Sequence, residues 1–145
     1  MVPPILAGVT LSDDAINAGR SIVQNFPEQE HHLATNKNSI KFPQWTLAFE
    51  EITDKYGLSL NGSWNKIPIL QKTNHPQEYH QWVYDAMERI DAIAQGDQVK
   101  FLELYEKYVN APVGENPWIL TKEWWETYGN EWWDWWNRRV NEGLD

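Results

Sequence analysis

Four histidines fall at spacings that could build a metal site. His31 and His32 are adjacent, and His75 and His80 flank the start of a proline-initiated helix. Neutral imidazoles bind divalent cations, and such a cation can polarise a phosphoryl oxygen and stabilise a leaving oxygen. A further imidazole, with an ordinary pKa of about 6.5, can take a proton from water near neutral pH. Each histidine alone could be a packing, capping or surface residue, but the chain has no histidine outside this pattern.

The local context of these histidines decides whether they can share one ion. Residues 30–35 are poor in helix signals, so we expect a strand or an extended turn there. Successive side chains of a strand point to opposite faces, so His31 and His32 could serve a metal and an attacking water separately. Residues five apart on an ideal helix point about 140° apart, which separates His75 from His80. Because Pro76 biases His75 away from helical dihedrals, however, the His75 side chain can fold back over the first turn and meet His80.

Capping and turn signals divide the rest of the chain into helices and two short strands. The apolar run at 65–70 predicts a second strand, at an edge or irregular because it contains Pro68. Two prolines and a glycine in 111–117 predict a loop, and the final helical region could break at Gly129. The pattern predicts a mostly helical α+β domain spanning 1–145. The residues that could start its helices are Ser12, Pro43, Pro76, Asp97 and Thr121.

Composition limits the possible functions. The chain has 145 residues, 41% of them hydrophobic, and no run of about 18 apolar residues, so we expect no stable membrane insertion. Residues 1–10 are apolar but short and lack a basic start, which is unlike a signal peptide. The absence of cysteine excludes disulfides and thiolate metal sites. A net charge of -9 disfavours general binding of nucleic acid, because phosphate neutralisation drives much of that affinity.

Most of the tryptophans are concentrated in a tail at about 117–142. On a helix they would cover more than one face, so we expect about half of them to be buried. The others could stack on bases, form a partner surface or touch a membrane, although the acidic residues of the tail disfavour a membrane. The tryptophans of this tail are Trp118, Trp124, Trp125, Trp132, Trp133, Trp135 and Trp136.

The ordered series of motifs resembles the HNH/endonuclease VII (His-Me finger) nucleases, especially the toxin nucleases named for an Ala-His-His motif. The resemblance runs through residues 31–38, 64–67 and 75–80 and the following helix, a motif core of about 28–95. It implies a ββα-metal core, in which two strands and a helix grip one cation. The chain departs from the motif by carrying Glu30 where alanine is typical.

The resemblance also implies a role for individual residues. His31, His75 and His80 would hold one divalent cation, Zn²⁺ or Mg²⁺, and leave a coordination position open for water and phosphate. His32 would be the general base. Asn65 would hold the segment that carries this base in place, although asparagines in turns often make only local bonds.

Charged residues near the histidines could support such a site. Glu30 could accept a hydrogen bond from a histidine ring, or be a surface residue. Lys37 and Lys66 could contact a substrate phosphate, or be solvated. With Lys41 and Lys72, which also lie beside the histidines in sequence, they predict a positive rim on an otherwise negative molecule.

The function implied by the resemblance is a metal-dependent endonuclease that cleaves nucleic acid; DNA is favoured as the substrate, and RNA stays open as the alternative. A bacterial toxin of this kind would be secreted or injected into a competitor, cytoplasmic in the producer before delivery, and neutralised by an immunity protein. Two alternatives stay open. The chain could be a non-catalytic protein-interaction module that uses its tryptophan-rich tail, which the negative charge favours, or a zinc domain whose histidines only hold the fold.

Overall fold

A computed structural model of the chain describes residues 10–36, 44–71 and 75–144. A π-helical turn covers Glu106–Asn110, and short 3₁₀ segments cover Asp54–Tyr56, Ser63–Asn65 and Pro117–Leu120. This mostly helical α+β arrangement, in which an antiparallel strand pair precedes a long helix, confirms the predicted fold class. The helices and strands are α1 (Asp13–Val23), β1 (Glu28–His32), α2 (Gln44–Thr53), β2 (Lys66–Leu70), α3 (Gln77–Ala94), α4 (Gln98–Tyr105), α5 (Ala111–Glu115) and α6 (Lys122–Leu144).

The two strands pair in a register that separates the adjacent histidines. His31 lies opposite Ile67, and His32 lies opposite Lys66. Because alternate residues point to opposite faces, His31 lies on the buried face of the pair, and His32 and Lys66 share the partly exposed face. Pro68 is exposed, and a two-stranded sheet tolerates it because both of its strands are edges.

Most of the predicted helix starts are confirmed. Ser12 Oγ accepts a hydrogen bond from the Ala15 backbone N–H at 3.1 Å, and Asp97 caps α4 in the same way. Pro76, in an extended conformation, precedes α3. Thr121, also extended, directly precedes α6 as predicted, and its carbonyl accepts the first helical bond from the Trp125 N–H, whereas its hydroxyl donates to the Trp118 carbonyl at 2.7 Å. Pro43 lies outside the described residues.

The prediction of a loop at 111–117 is wrong, because Ala111–Glu115 form the helix α5 and a 3₁₀ segment begins at Pro117. Pro112 has no N–H to offer the carbonyl of Tyr108, four residues earlier, so an ordinary helix would leave that carbonyl unpaired. The Trp136 indole N–H donates to this carbonyl at 2.8 Å. A side chain from α6 thus replaces the missing bond, and the chain continues through the π-helical turn into α5.

The tryptophan-rich tail is mainly core. α6 runs through Gly129 without a break, and five of its six tryptophans are buried; Trp133 is half-buried. Trp118, just before α6, is buried as well, so the tail is more buried than expected. The reason is that α6 packs on several elements: Trp124 donates to the Ala15 carbonyl of α1 at 2.9 Å, and Trp136 reaches Tyr108. No described helix has the length and apolarity needed to cross a membrane.

Candidate active site

Three of the histidines meet where the buried face of β1 adjoins the start of α3. The ring centroids of His31 and His75 are 4.5 Å apart, and those of His75 and His80 are 6.2 Å apart. Pro76 produces this approach, because it keeps His75 outside the helix while His80 sits in the first turn. The fold thus brings together the three residues predicted to bind a metal.

Tyr79 stands among these rings and was not predicted to belong to the site. Its hydroxyl lies 3.0 Å from His31 Nε2 and donates to the Leu33 carbonyl at 2.8 Å. Its ring centroid is 5.6 Å from those of both His75 and His80. In the sequence Tyr79 looks like one more apolar position of a helix. Its place beside His31 depends on how β1 packs against the start of α3, and the sequence does not show that packing.

Burial keeps two of these imidazoles neutral. Desolvation, followed by the neighbouring histidines, lowers the pKa of His31 to about 2, while a side-chain hydrogen bond with Gln71 acts weakly in the opposite direction. Desolvation lowers the pKa of His80 to about 4. Both rings are therefore unprotonated at neutral pH, which is the form that binds a cation.

These residues fit a divalent cation in their donor chemistry. His80 Nδ1 is buried and has no hydrogen-bond partner among the described residues, so this ring nitrogen is not committed to another bond there. Within residues 10–36, 44–71 and 75–144, however, no three His, Cys, Asp or Glu side chains are already spaced to hold an ion. The three imidazoles would therefore have to reorient around a cation.

His32 lies on the other face of β1, half-buried and opposite Lys66. Glu30 is exposed on this same face, two residues from His32. Lys37 lies outside the described residues, as do Lys41 and Lys72. The predicted positive rim is therefore untested apart from Lys66, which shares its face with Glu30.

Asn65 is fully buried just before β2 and ties down the segment that follows His32. Its Oδ1 accepts from the Ala34 N–H at 2.8 Å and from the Tyr105 hydroxyl at 2.7 Å. Its Nδ2 donates to the carbonyls of Ala34 and Leu60 at 2.8 and 3.0 Å. The backbone carbonyl of Asn65 also accepts from the Leu33 N–H. These contacts fix the chain immediately after the two histidines.

A family model described as a nuclease family of the HNH/ENDO VII superfamily with a conserved AHH matches residues 13–113. This chain belongs to that nuclease family. The match runs from α1 into α5, beyond the motif core of 28–95, and excludes α6. No curated protein and no solved structure gave a significant match.

Membership of the AHH family identifies the chain as a nuclease, for which nucleic acid is the substrate. The only adjacent histidines of the chain are His31 and His32, so the histidine pair of the family motif falls there. Glu30 takes the place of the alanine. Nucleases of this superfamily typically use a metal, and the donor chemistry of the histidine cluster agrees with that.

Proposed function

We propose that this nuclease is a metal-dependent endonuclease that hydrolyses internal phosphodiester bonds, with the histidine cluster as its metal site. The observation that carries the proposal is the convergence of His31, His75 and His80 within 4.5 to 6.2 Å between neighbouring ring centroids. Two of these rings are held neutral by burial, and the chain offers no thiolate as an alternative ligand.

In this proposal the two faces of β1 have different roles: the buried face binds the metal, and the half-exposed face activates the water. His31, on the buried face, joins His75 and His80 in holding one divalent ion, Zn²⁺ or Mg²⁺. Such an ion polarises a phosphoryl oxygen and stabilises the leaving oxygen. His32, on the half-exposed face, accepts the proton of the attacking water. Asn65 keeps the backbone after His32 in place through its bonds to Ala34.

Substrate contacts come from the lysines near the cluster. Lys66 lies opposite His32 on the same face of the strand pair, which supports a role for it beside the attacking water. We assign Lys66 and Lys37 to phosphate binding. We assign Glu30, which is exposed on the same face of β1 as His32, as the carboxylate that orients a histidine ring.

The proposal extends to a biological setting. We propose that the chain is a bacterial toxin domain acting on DNA, secreted or injected into a target cell and cytoplasmic in the producer before delivery. The supporting observations are the likeness of its motifs to toxin nucleases and its net charge of -9, which suits a basic immunity protein. The tail gives less support to a non-catalytic interaction module, because most of its tryptophans are buried.

Two alanine variants test the division of roles. His32→Ala should reduce cleavage by about 10²- to 10⁴-fold, the usual contribution of a general base, and leave metal affinity nearly unchanged. His31→Ala should lose both cleavage and metal binding. Cleavage rates on a plasmid and zinc titrations by calorimetry distinguish the two. Near-normal cleavage by His32→Ala would remove His32 from the mechanism, and full metal affinity in His31→Ala would remove His31 from the metal site.

A further inference from the structure

The hydroxyl of Tyr79 is placed between two possible hydrogen-bond partners. Leu33 O lies 2.8 Å from it and His31 Nε2 lies 3.0 Å from it, and all three groups are buried. Burial raises the pKa of Tyr79 well above its ordinary value, so the hydroxyl keeps its proton. The hydroxyl therefore has one hydrogen to donate and lone pairs to accept with.

The partners themselves decide where this hydrogen goes. Leu33 O is a carbonyl oxygen and can only accept, so the Tyr79 hydrogen must point to it for that contact to be a bond. If the hydrogen pointed to His31 instead, two oxygen lone pairs would face each other at 2.8 Å in a buried position, which is costly. The second contact then requires that His31 Nε2 carries the ring hydrogen and donates it to Tyr79.

We infer that Tyr79 is a positioning residue that holds His31 in the Nε2-protonated tautomer. In this tautomer Nδ1 is the only nitrogen of His31 with a lone pair, so a cation can be bound only through Nδ1. The consequence for metal binding rests on the proposed function, whereas the tautomer itself follows from the contacts of Tyr79. A hydrogen bond to one ring nitrogen commonly fixes which of the two nitrogens is left for a metal.

Gln71 is the residue that competes with Tyr79 for His31. Its amide nitrogen donates to the Glu30 carbonyl at 3.1 Å, and its side chain also forms a weak hydrogen bond with His31 that favours the protonated ring. The effect of Gln71 on the pKa of His31 is smaller than the opposing effect of burial, whereas the Tyr79 hydroxyl lies at hydrogen-bond distance, 3.0 Å, from His31 Nε2. Removing the Tyr79 hydroxyl should leave Gln71 as the main side-chain partner of the ring.

The test compares Tyr79→Phe with the wild type and with Tyr56→Phe. Tyr56→Phe is the matched control, because Tyr56 is also buried and its hydroxyl bonds to Asp91, away from the histidines. Ring nitrogen shifts of the histidines, measured by NMR on the metal-free proteins at neutral pH, report the tautomer. Zinc titration by calorimetry reports the affinity.

The wild type and Tyr56→Phe should show His31 protonated at Nε2 and not at Nδ1. Tyr79→Phe should lose this preference and bind Zn²⁺ about 10- to 100-fold more weakly, the usual cost of removing such a supporting group. A wild-type His31 protonated at Nδ1 would overturn the inference, even if Tyr79→Phe failed to fold. An unchanged tautomer in a folded Tyr79→Phe protein would also overturn it, as would an unchanged zinc affinity where the wild type binds Zn²⁺.

The same experiment separates this inference from the proposed function. A wild-type protein that binds neither Zn²⁺ nor Mg²⁺ would contradict the proposed metal site. The nitrogen shifts of its metal-free His31 would still decide whether Tyr79 fixes the tautomer.

Discussion

Burying neutral imidazoles makes the stability of this fold depend on pH. The folded-state pKa values of His31 and His80, about 2 and about 4, lie below the ordinary value of 6.5. Between these values the unfolded chain binds protons that the folded chain does not, so stability falls as the pH is lowered. Above pH 6.5 neither state binds these protons, and the free energy of unfolding has its full value. Below pH 6.5 it falls progressively, by up to about 1.4 kcal/mol per pH unit for each histidine.

We therefore predict that His80→Gln, which cannot titrate, loses less stability than the wild type between pH 6.5 and pH 4. Urea unfolding in the presence of a chelator measures this without a contribution from metal binding. The comparison between proteins is needed because the 21 carboxylates of the chain titrate in both. Equal pH dependence of the two proteins would show that His80 is not held neutral by burial.

At the residue scale, the sequence predicted the members of the cluster but not its internal bonds. Pro76 alone indicates that His75 leaves the helix, and this is enough to bring it toward His80. Asn65 was predicted to hold the segment that carries His32 in place, and its side chain bonds to Ala34, two residues after His32. Tyr79 was missed because its role depends on contacts with His31 in β1 and with Leu33 just after it, 48 and 46 residues away along the chain.

At the element scale, α1 packs against the segment that precedes α6. A Cβ atom added to Gly19 would lie 2.2 Å from the Trp118 ring, so only glycine allows this approach. We predict that Gly19→Ala destabilises the fold by about 1–3 kcal/mol through overpacking, although alanine favours a helix. Gly114→Ala is the control, because Gly114 is helical and exposed and nothing lies near its added Cβ.

Chemical denaturation of the two variants measures the difference. Gly114→Ala should be neutral or more stable by up to about 1 kcal/mol. If Gly19→Ala were as stable as Gly114→Ala, α1 would not be packed against Trp118. Because Gly19 lies within the family match and Trp118 lies beyond it, this contact also reports whether the tail is docked on the nuclease core.

The elements that sequence patterns predicted well are those with local signals. Ser12 and Asp97 cap their helices through their own side chains, and such bonds need no distant partner. The helix at Ala111–Glu115 was missed because the bond that permits it comes from Trp136 on α6. Prolines and a glycine indicate a loop unless a distant donor supplies the lost hydrogen bond.

At the scale of the whole molecule, a nuclease with a net charge of -9 must bind a polyanion. Metal and local lysines can provide that attraction, while the acidic surface elsewhere repels nucleic acid. Lys66 lies beside His32, but Glu30 shares its face. The charge around the site is thus mixed where the structure describes it, and the positive rim stays a prediction because Lys37, Lys41 and Lys72 lie outside the described residues.

Whether this chain is a metal-dependent endonuclease is tested most directly by a cleavage assay on plasmid DNA and on total RNA, with Mg²⁺ or Zn²⁺ and with a chelator. Circular dichroism of the same samples follows the fold. We expect endonucleolytic cleavage of DNA in preference to RNA, loss of cleavage on chelation with the fold retained, and recovery when the metal is restored. Absence of cleavage of either substrate, or cleavage that survives chelation, would contradict it. Unfolding on chelation would instead indicate a structural zinc domain.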